Sequence, residues 1–532
     1  MMKLNQNIFL VAFFVFISNV MAAADKLSLS GPKTEVVPTG NYTKLYYVDV
    51  ARGDDGGKGT KEAPWKSLAA ALSKSVVEAQ GRTAILVAEG VYAVGGLSMR
   101  SKVDMFGGFS SSGWNRDIER YRSVIDGSGK RQLLIGASDA RIDGFTLSNG
   151  AAPGNGGAIL CIGESPIITN NVFSNNKTLK PEQWNPKYMH MTANDGGAVY
   201  GEKGAAPIIK NNLFINNTTQ NGRGAAIAFN NKCKPVIDNN VFINNRAGLE
   251  DPMRSSDGGA VSVFNWCNAV ISNNVFLGNK ALAKNDGGAI FVALWSSAKI
   301  TGNIIVDSES GDDAGALFVG GQEHRYDTAL DPIPAKEKFY VTIADNRFIG
   351  NKNPTMNSGV MRFTMEARGE FTNNITAFNT GVYFQRSEVA VKENLILDNF
   401  LFIETKEGLK QGSIENNFIG GDFRLETPAK VENNRMRENY NGGINNKAGL
   451  PSIKDDGKNL SAASVIFNRT SYTTDIFSTT SLPKNSLVNR VVKSGDKWGV
   501  IKSNDGVFMT VWGDLNGASE FTILPTYSLS LK

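Results

Sequence analysis

Asp257-Gly258-Gly259-Ala260-Val261-Ser262-Val263-Phe264, followed after a polar gap by Val270-Ile271-Ser272-Asn273-Asn274-Val275-Phe276-Leu277-Gly278-Asn279, is one copy of a unit that the chain repeats. Further units start at Gly156, Gly196, Gly224, Gly287, Ala314 and Ser358, mostly 27 to 34 residues apart. Each carries small residues, an alternating strand, a turn, a second apolar strand, Asn-Asn or a near variant, and a closing Asn. Short period-two strands between Gly/Asn turns leave no room for crossover helices and predict stacked β-coils. Fixed-period repeats cover one another's apolar faces, so one solenoid replaces the three or four domains that 532 residues would otherwise suggest.

The asparagines fix the architecture. Asn171, Asn212, Asn240, Asn274, Asn303, Asn346, Asn374, Asn394, Asn417 and Asn434 recur at one place in the unit. Asn accepts the left-handed backbone of a tight corner, and stacked amides hydrogen-bond along a pile. On these repeats the chain resembles secreted right-handed parallel β-helix proteins of the pectate-lyase-like type. Its Gly-Gly-Ala-Ile and Phe-x-x-Asn pattern is also similar to that of chlamydial-type polymorphic membrane proteins. The resemblance implies an all-β parallel β-helix over residues 45–440 and leaves the activity open.

The ends read differently. Residues 1–24, with Lys3, the apolar run Ile8 to Ile17 and Ala22-Ala23-Ala24, read as a signal peptide for export, with no Cys for a lipid anchor. Its removal changes the formal charge from +5 to 5 − 1 = +4. A linker at 25–44 leads to an N-terminal cap at 45–80. There Pro64-Trp65-Lys66-Ser67-Leu68-Ala69-Ala70-Ala71-Leu72 starts a helix suited to closing the first coil. The coils become regular from about Gly156, and residues 441–532 lose the repeat and read as a C-terminal cap or small β module. A mild positive charge without Lys/Arg runs favours an acidic substrate over nucleic acid. No other apolar stretch is long enough to span a membrane, so the expected product is an exported monomer.

Chemistry must sit on outward positions, because inward side chains fill the coil. Alternation points Val261, Val263, Ile290, Val292, Leu317 and Val319 inward. One outward row then runs Leu160, Tyr200, Ala228, Ser262, Phe291, Phe318, Arg362, a second through Glu202, Asn230 and Phe264, and a third through Trp266 and Trp295. An exposed aromatic floor needs a cover, either inserted loops or stacked sugar rings. Inserts at Leu179–Asn194, Gly248–Ser256 and Gln322–Lys338 flank this strand and suggest a groove for a polymer.

The chain has only two His, His190 and His324, and both lie in those inserts. β-Elimination from an acidic polysaccharide needs a base, an acid for the leaving oxygen and cations to neutralise the uronate. The expected parts are His190 or His324 as base, Tyr200 or Tyr188 as acid, and Arg325 and Arg362 as neutralisers. Substrate would lie over Glu202, Asn230, Phe264, Trp266, Phe291, Trp295, Phe318, Arg254 and Arg368. The residue before each small-residue motif gives a carboxylate row, Asp257, Asp286 and Asp313, which reads as Asx turns, as calcium ligands or as the paired carboxyls of a glycoside hydrolase. A binding or adhesin solenoid without catalysis is the remaining alternative. Cys233 and Cys267 each follow their motif by nine residues. Stacking would bring them within about 5 Å, as a small apolar pair or a disulfide.

Overall fold

The computed structural model describes residues 30–180, 194–249, 256–321, 339–354, 359–403, 412–425, 429–436 and 456–527. Alternation in the sequence becomes a coil with three long parallel faces. Among the described residues a first sheet of 12 strands contains Val261–Phe264, a second of 14 contains Asn268–Ser272 and a third of 13 contains Val275–Leu277. A short sheet of six contains Lys280–Ala281 and completes the central coils. Neighbouring coils stay in register, so Val261 pairs with Ile227 and Ile290, and Phe276 with Phe242 and Ile305. Val261, Val263, Ile290, Val292, Leu317 and Val319 all lie in the interior core. Phe173, Phe214, Phe242 and Phe276 stack along the axis with ring centroids 4.6, 4.9 and 4.7 Å apart.

The Asn-Asn corner divides its labour, which the sequence reading had assigned to one residue. The first member takes the left-handed backbone: φ is 56° at Asn170 and Asn211, 57° at Asn239 and 54° at Asn273. Its successor keeps ordinary backbone and turns its amide inward. Asn274 Oδ1 accepts from Asn240 N at 2.8 Å and Asn240 Nδ2 at 3.1 Å, while its own Nδ2 donates to Ile237 O and Asn303 Oδ1 at 3.0 Å each. The same pattern runs from Asn171 to Asn434. A second amide ladder occupies the next corner through Asn176, Asn217, Asn245 and Asn279, again one residue after a left-handed one. Buried backbone groups at these bends are thereby satisfied without a strand partner.

The two glycines of the motif are steric requirements. Gly258 has φ +79°, and a Cβ on Gly259 would sit 2.0 Å from Gly288 O. At the first end the helix Leu68–Lys74, capped by Ser67 Oγ accepting from Ala70 N, buries Leu68, Ala70, Ala71 and Leu72 against the opening coil. Residues expected to form a linker instead run along the solenoid: Gly31 N donates to Asn239 O, Lys33 N to Asn170 Oδ1 and Arg116 Nη1 to Glu35 O.

The C-terminal part is a closed antiparallel barrel of Lys458–Asn468, Thr473–Leu482, Val491–Ser494, Lys497–Trp512 and Glu520–Ile523. It packs on the outer flank of the third sheet, where Trp498, Val500 and Trp512 meet Val241, Val275 and Ile304. The sequence carried a signal for this docking. In Val241-Phe242-Ile243 and Val275-Phe276-Leu277 both neighbours of the inward Phe are apolar, whereas Val172-Phe173-Ser174, two coils before the first of these, keeps a polar one.

Asn274→Ala would strand Asn240 N–H and Ile237 C=O in the interior and is predicted to cost roughly 2–4 kcal/mol in urea unfolding. Asn273→Gly, at an exposed corner where the next coil uses Gly302, should stay within about 0.5 kcal/mol.

Candidate functional site

The outward face of the first sheet is not an open aromatic floor. Phe264 is fully buried, with the Arg223 guanidinium 4.6 Å above its ring, and Phe291 and Phe318 are buried and stacked at 5.1 Å. Trp295 is buried as well, stacked at 5.0 Å on half-buried Trp266, and its Nε1 has no partner among the described residues. These four rings join Leu294 and Phe339 in a satellite core of their own. Covering, one of the two alternatives, is therefore what the structure shows for Phe264, Phe291, Phe318 and Trp295. Alternation correctly turned them away from the coil but carries no information about what lies over them.

Tyr200 is likewise outward yet only 1 % exposed. Its hydroxyl donates to Glu202 Oε2 at 3.0 Å and receives Asn230 Nδ2 at 3.4 Å, and Asn265 Nδ2 donates in turn to Asn230 Oδ1 at 2.7 Å. Burial, then the charges of Asp195 and Glu202, push the phenol well above its ordinary value. Glu202, Asn230 and Trp266 keep partial exposure and form the accessible edge of this network.

Beneath that edge lies a residue that the site reading passed over. Asp195 is buried; its Oδ1 accepts from Arg223 N at 2.7 Å and its Oδ2 lies 3.5 Å from Arg223 Nη1. Burial raises its carboxyl to about 6, against the partial compensation of Arg223. Arg223, itself buried, also reaches Asp257 Oδ2 at 3.9 Å. Asp195 precedes its own Gly196-Gly197 motif, the position that Asp257 holds before Gly258-Gly259, but its proximity to Glu202 and Tyr200 depends on how that turn folds the strand back.

The row before the small-residue motif is a third ladder. Asn155 Oδ1 accepts from Asp195 N, Asp195 from Arg223 N, Asp257 from Asp286 N at 3.0 Å, and Asp286 from Asp313 N at 2.9 Å. Calcium requires six to eight converging oxygens. Asp257 and Asp286 each commit one oxygen to a backbone N–H of the next coil. Among the described residues no group of three or more His, Cys, Asp or Glu is arranged to hold a metal. The set Asp257, Asp286 and Asp313 does not fit that ion, and no step below uses it.

Farther along, Arg362 pairs with Asp313, donates from Nη2 to Gln385 Oε1 at 2.7 Å and lies 5.2 Å from the Tyr383 ring centroid. Its Nε is buried without a partner among the described residues. Arg368 belongs to the second sheet, with Nε 3.6 Å from Glu388 Oε2. His190, His324, Tyr188, Arg325 and Arg254 lie outside the described residues.

Residues 118–305 match the family described as right handed beta helix region. The chain is a right-handed parallel β-helix. Among solved structures it is similar to a rhamnogalacturonan lyase at 13% identity and TM-score 0.28, covering 74% of this chain and 87% of that one. The A-module of the Azotobacter vinelandii mannuronan C-5 epimerase AlgE6 is similar at 15% and 0.33, over 74% and 100%. The tailspike protein of E. coli bacteriophage HK620 in complex with pentasaccharide is similar at 11% and 0.27, over 86% and 89%. No curated protein sequence matches the chain. No described helix of this β-helix is long and apolar enough to cross a membrane.

The raised Asp195 carboxyl fixes a sign. Between the ordinary value of 3.8 and about 6 the unfolded chain releases this proton while the folded chain keeps it. This group's contribution to stability therefore falls as pH rises through that window and is flat above it. Asp195→Asn is expected to abolish that slope, measured as urea unfolding free energy against pH; parallel curves for the variant and the parent would contradict the assignment.

Proposed function

We propose that this β-helix is a glycoside hydrolase acting on a polysaccharide at the Asp195–Glu202 cluster. The observation that carries the reading is the buried Asp195 carboxyl, which burial pushes up to about 6, beside the partly exposed Glu202, whose Oε2 accepts from the Tyr200 hydroxyl at 3.0 Å. Two carboxyls whose surroundings differ in this way divide acid from base. Asp195 would protonate the departing glycosidic oxygen as the bond from the anomeric carbon breaks. Glu202 would either take a proton from the attacking water or attack the anomeric carbon itself, the choice resting on the separation of the two carboxyls. Tyr200 orients Glu202 through its 3.0 Å hydrogen bond, and Trp266 offers a partly exposed ring edge for a sugar.

A lyase acting on an acidic polymer is the second reading, favoured by Arg362 on the same outward row, a cation for a uronate carboxylate whose buried Nε has no partner among the described residues. Incubation with neutral and uronate polymers separates the two. Hydrolysis gives new reducing ends without the absorbance of an unsaturated product; β-elimination gives both.

Asp195→Asn and Glu202→Gln should each lower the rate of reducing-end formation by about 10²-fold or more. Asn155 performs the ladder role of Asp195 one coil earlier, so the asparagine variant is expected to fold. Activity should also fall as pH rises past about 6, where Asp195 loses its proton. Absorbance that survives both substitutions would transfer the chemistry to the lyase reading, and unchanged polymer under every condition would leave a binding solenoid.

A further inference from the structure

The turn that follows the first sheet has an unusual backbone. Asn231 and Lys232, then Asn265 and Trp266 one coil on, are consecutive left-handed pairs with φ of 56°, 64°, 56° and 59°. Left-handed backbone is uncommon outside Gly and strained for a residue as bulky as Trp. These turns carry Asn230 and Trp266, the accessible edge of the site, so something must hold them.

Immediately after each pair stands a cysteine. Asn230 pairs with Phe264 and Val236 with Val270, a constant offset that places Cys233 on the rung beside Cys267. Rungs of a sheet are about 4.8 Å apart, within the range of roughly 4.4–6.8 Å that a disulfide spans between Cα atoms. Both side chains enter the same interior core, so their Cβ vectors point to one side. Cys233 N donates to Cys267 Sγ at 3.2 Å, Asn268 N to Cys233 O at 2.8 Å, and the Cys233 thiol donates to Asn230 O at 3.1 Å. Along the axis the column changes to Ser296, whose Oγ accepts from Cys267 N at 3.2 Å, and on the other side to Ala205, whose carbonyl accepts from Lys234 N. Cys161 lies within a first-sheet strand and registers with Gly201, not with this turn. Register therefore pairs Cys233 with Cys267.

We propose that Cys233 and Cys267, free thiols in this structure, are an oxidisable pair whose disulfide bolts two consecutive coils together beneath the site. The two thiols lose two protons and two electrons as the S–S bond forms. A disulfide-class oxidant takes them: oxidised glutathione becomes two molecules of glutathione, and the disulfide of a thiol oxidase becomes its dithiol. Both sulfurs are buried, so the exchange happens while the coils assemble. The bond closes a loop of a single coil and fixes the two strained turns relative to each other.

The full chain, refolded with oxidised glutathione and then denatured without reductant, tests this by alkylation and peptide mapping. The expected result is labelling of Cys161 alone and a cross-linked peptide joining Cys233 to Cys267. Refolding in dithiothreitol instead should leave three labelled thiols and a folded chain whose melting temperature is lower by several degrees. Cys161→Ala should keep the cross-link and that sensitivity, whereas Cys267→Ala should lose both. Labelling of three thiols after oxidative refolding, or a cross-link through Cys161, would overturn the proposal. No sugar or turnover enters this readout, so it stands apart from the hydrolase reading.

Discussion

Every coil of this protein has to bend its chain away from each sheet, and at a bend the backbone loses its strand partner while remaining inside the protein. Side chains supply what is missing. At two corners the supplier is an inward Asn amide, which accepts from one coil and donates to another. At the third it is an Asn or Asp oxygen that receives the N–H of the next coil. Buried amide and carboxylate ladders of this kind set the register of the whole stack, because slipping one coil by one residue would leave donors unpaired on both sides.

With register fixed, the outward positions are free to differ from coil to coil. The outer side of the third sheet is apolar where Trp498 and Trp512 of the barrel lie on it. The outer side of the first sheet holds an aromatic cluster around Phe291 and Phe318, and next to it a polar one around Asp195, Tyr200 and Glu202. Arg223 joins the two, paired with Asp195 and Asp257 and stacked over Phe264. The site is thus a local variation on a repeated scaffold, and its buried carboxyl is a ladder residue in an unusual electrostatic setting.

This arrangement explains what could be read from the sequence. The repeat, the inward row of Val261 and Val263 and the need for glycine at Gly258 follow from period, size and backbone freedom, which are local properties. The Asn-Asn pair was legible as a corner, but the split between Asn273 and Asn274 was not, since either residue can do either job. Asp257 and Asp286 invited a cation because carboxylates in a row repel; backbone N–H donors that relieve the repulsion leave no trace in side-chain composition. The aromatic row could be placed on the outward face, but the choice between inserted loops and sugar rings as its cover could not be made, because cover comes from elsewhere in the chain. Asp195 holds the same place before its motif that Asp257 holds before Gly258-Gly259, so its sequence context does not set it apart. Its raised pKa comes from burial beside Tyr200 and Glu202, which a linear pattern does not encode.

The central claim is that a substrate sugar reaches Asp195 from the edge made by Glu202, Asn230 and Trp266. The most direct measurement is a crystal structure of the Asp195→Asn chain soaked with neutral and uronate oligosaccharides. The expected result is a glycosidic oxygen within about 3 Å of the residue 195 side chain, with the adjoining ring against Glu202 and Trp266. An oligosaccharide seated on another face of the coil or on the barrel, with residue 195 out of its reach, would contradict it.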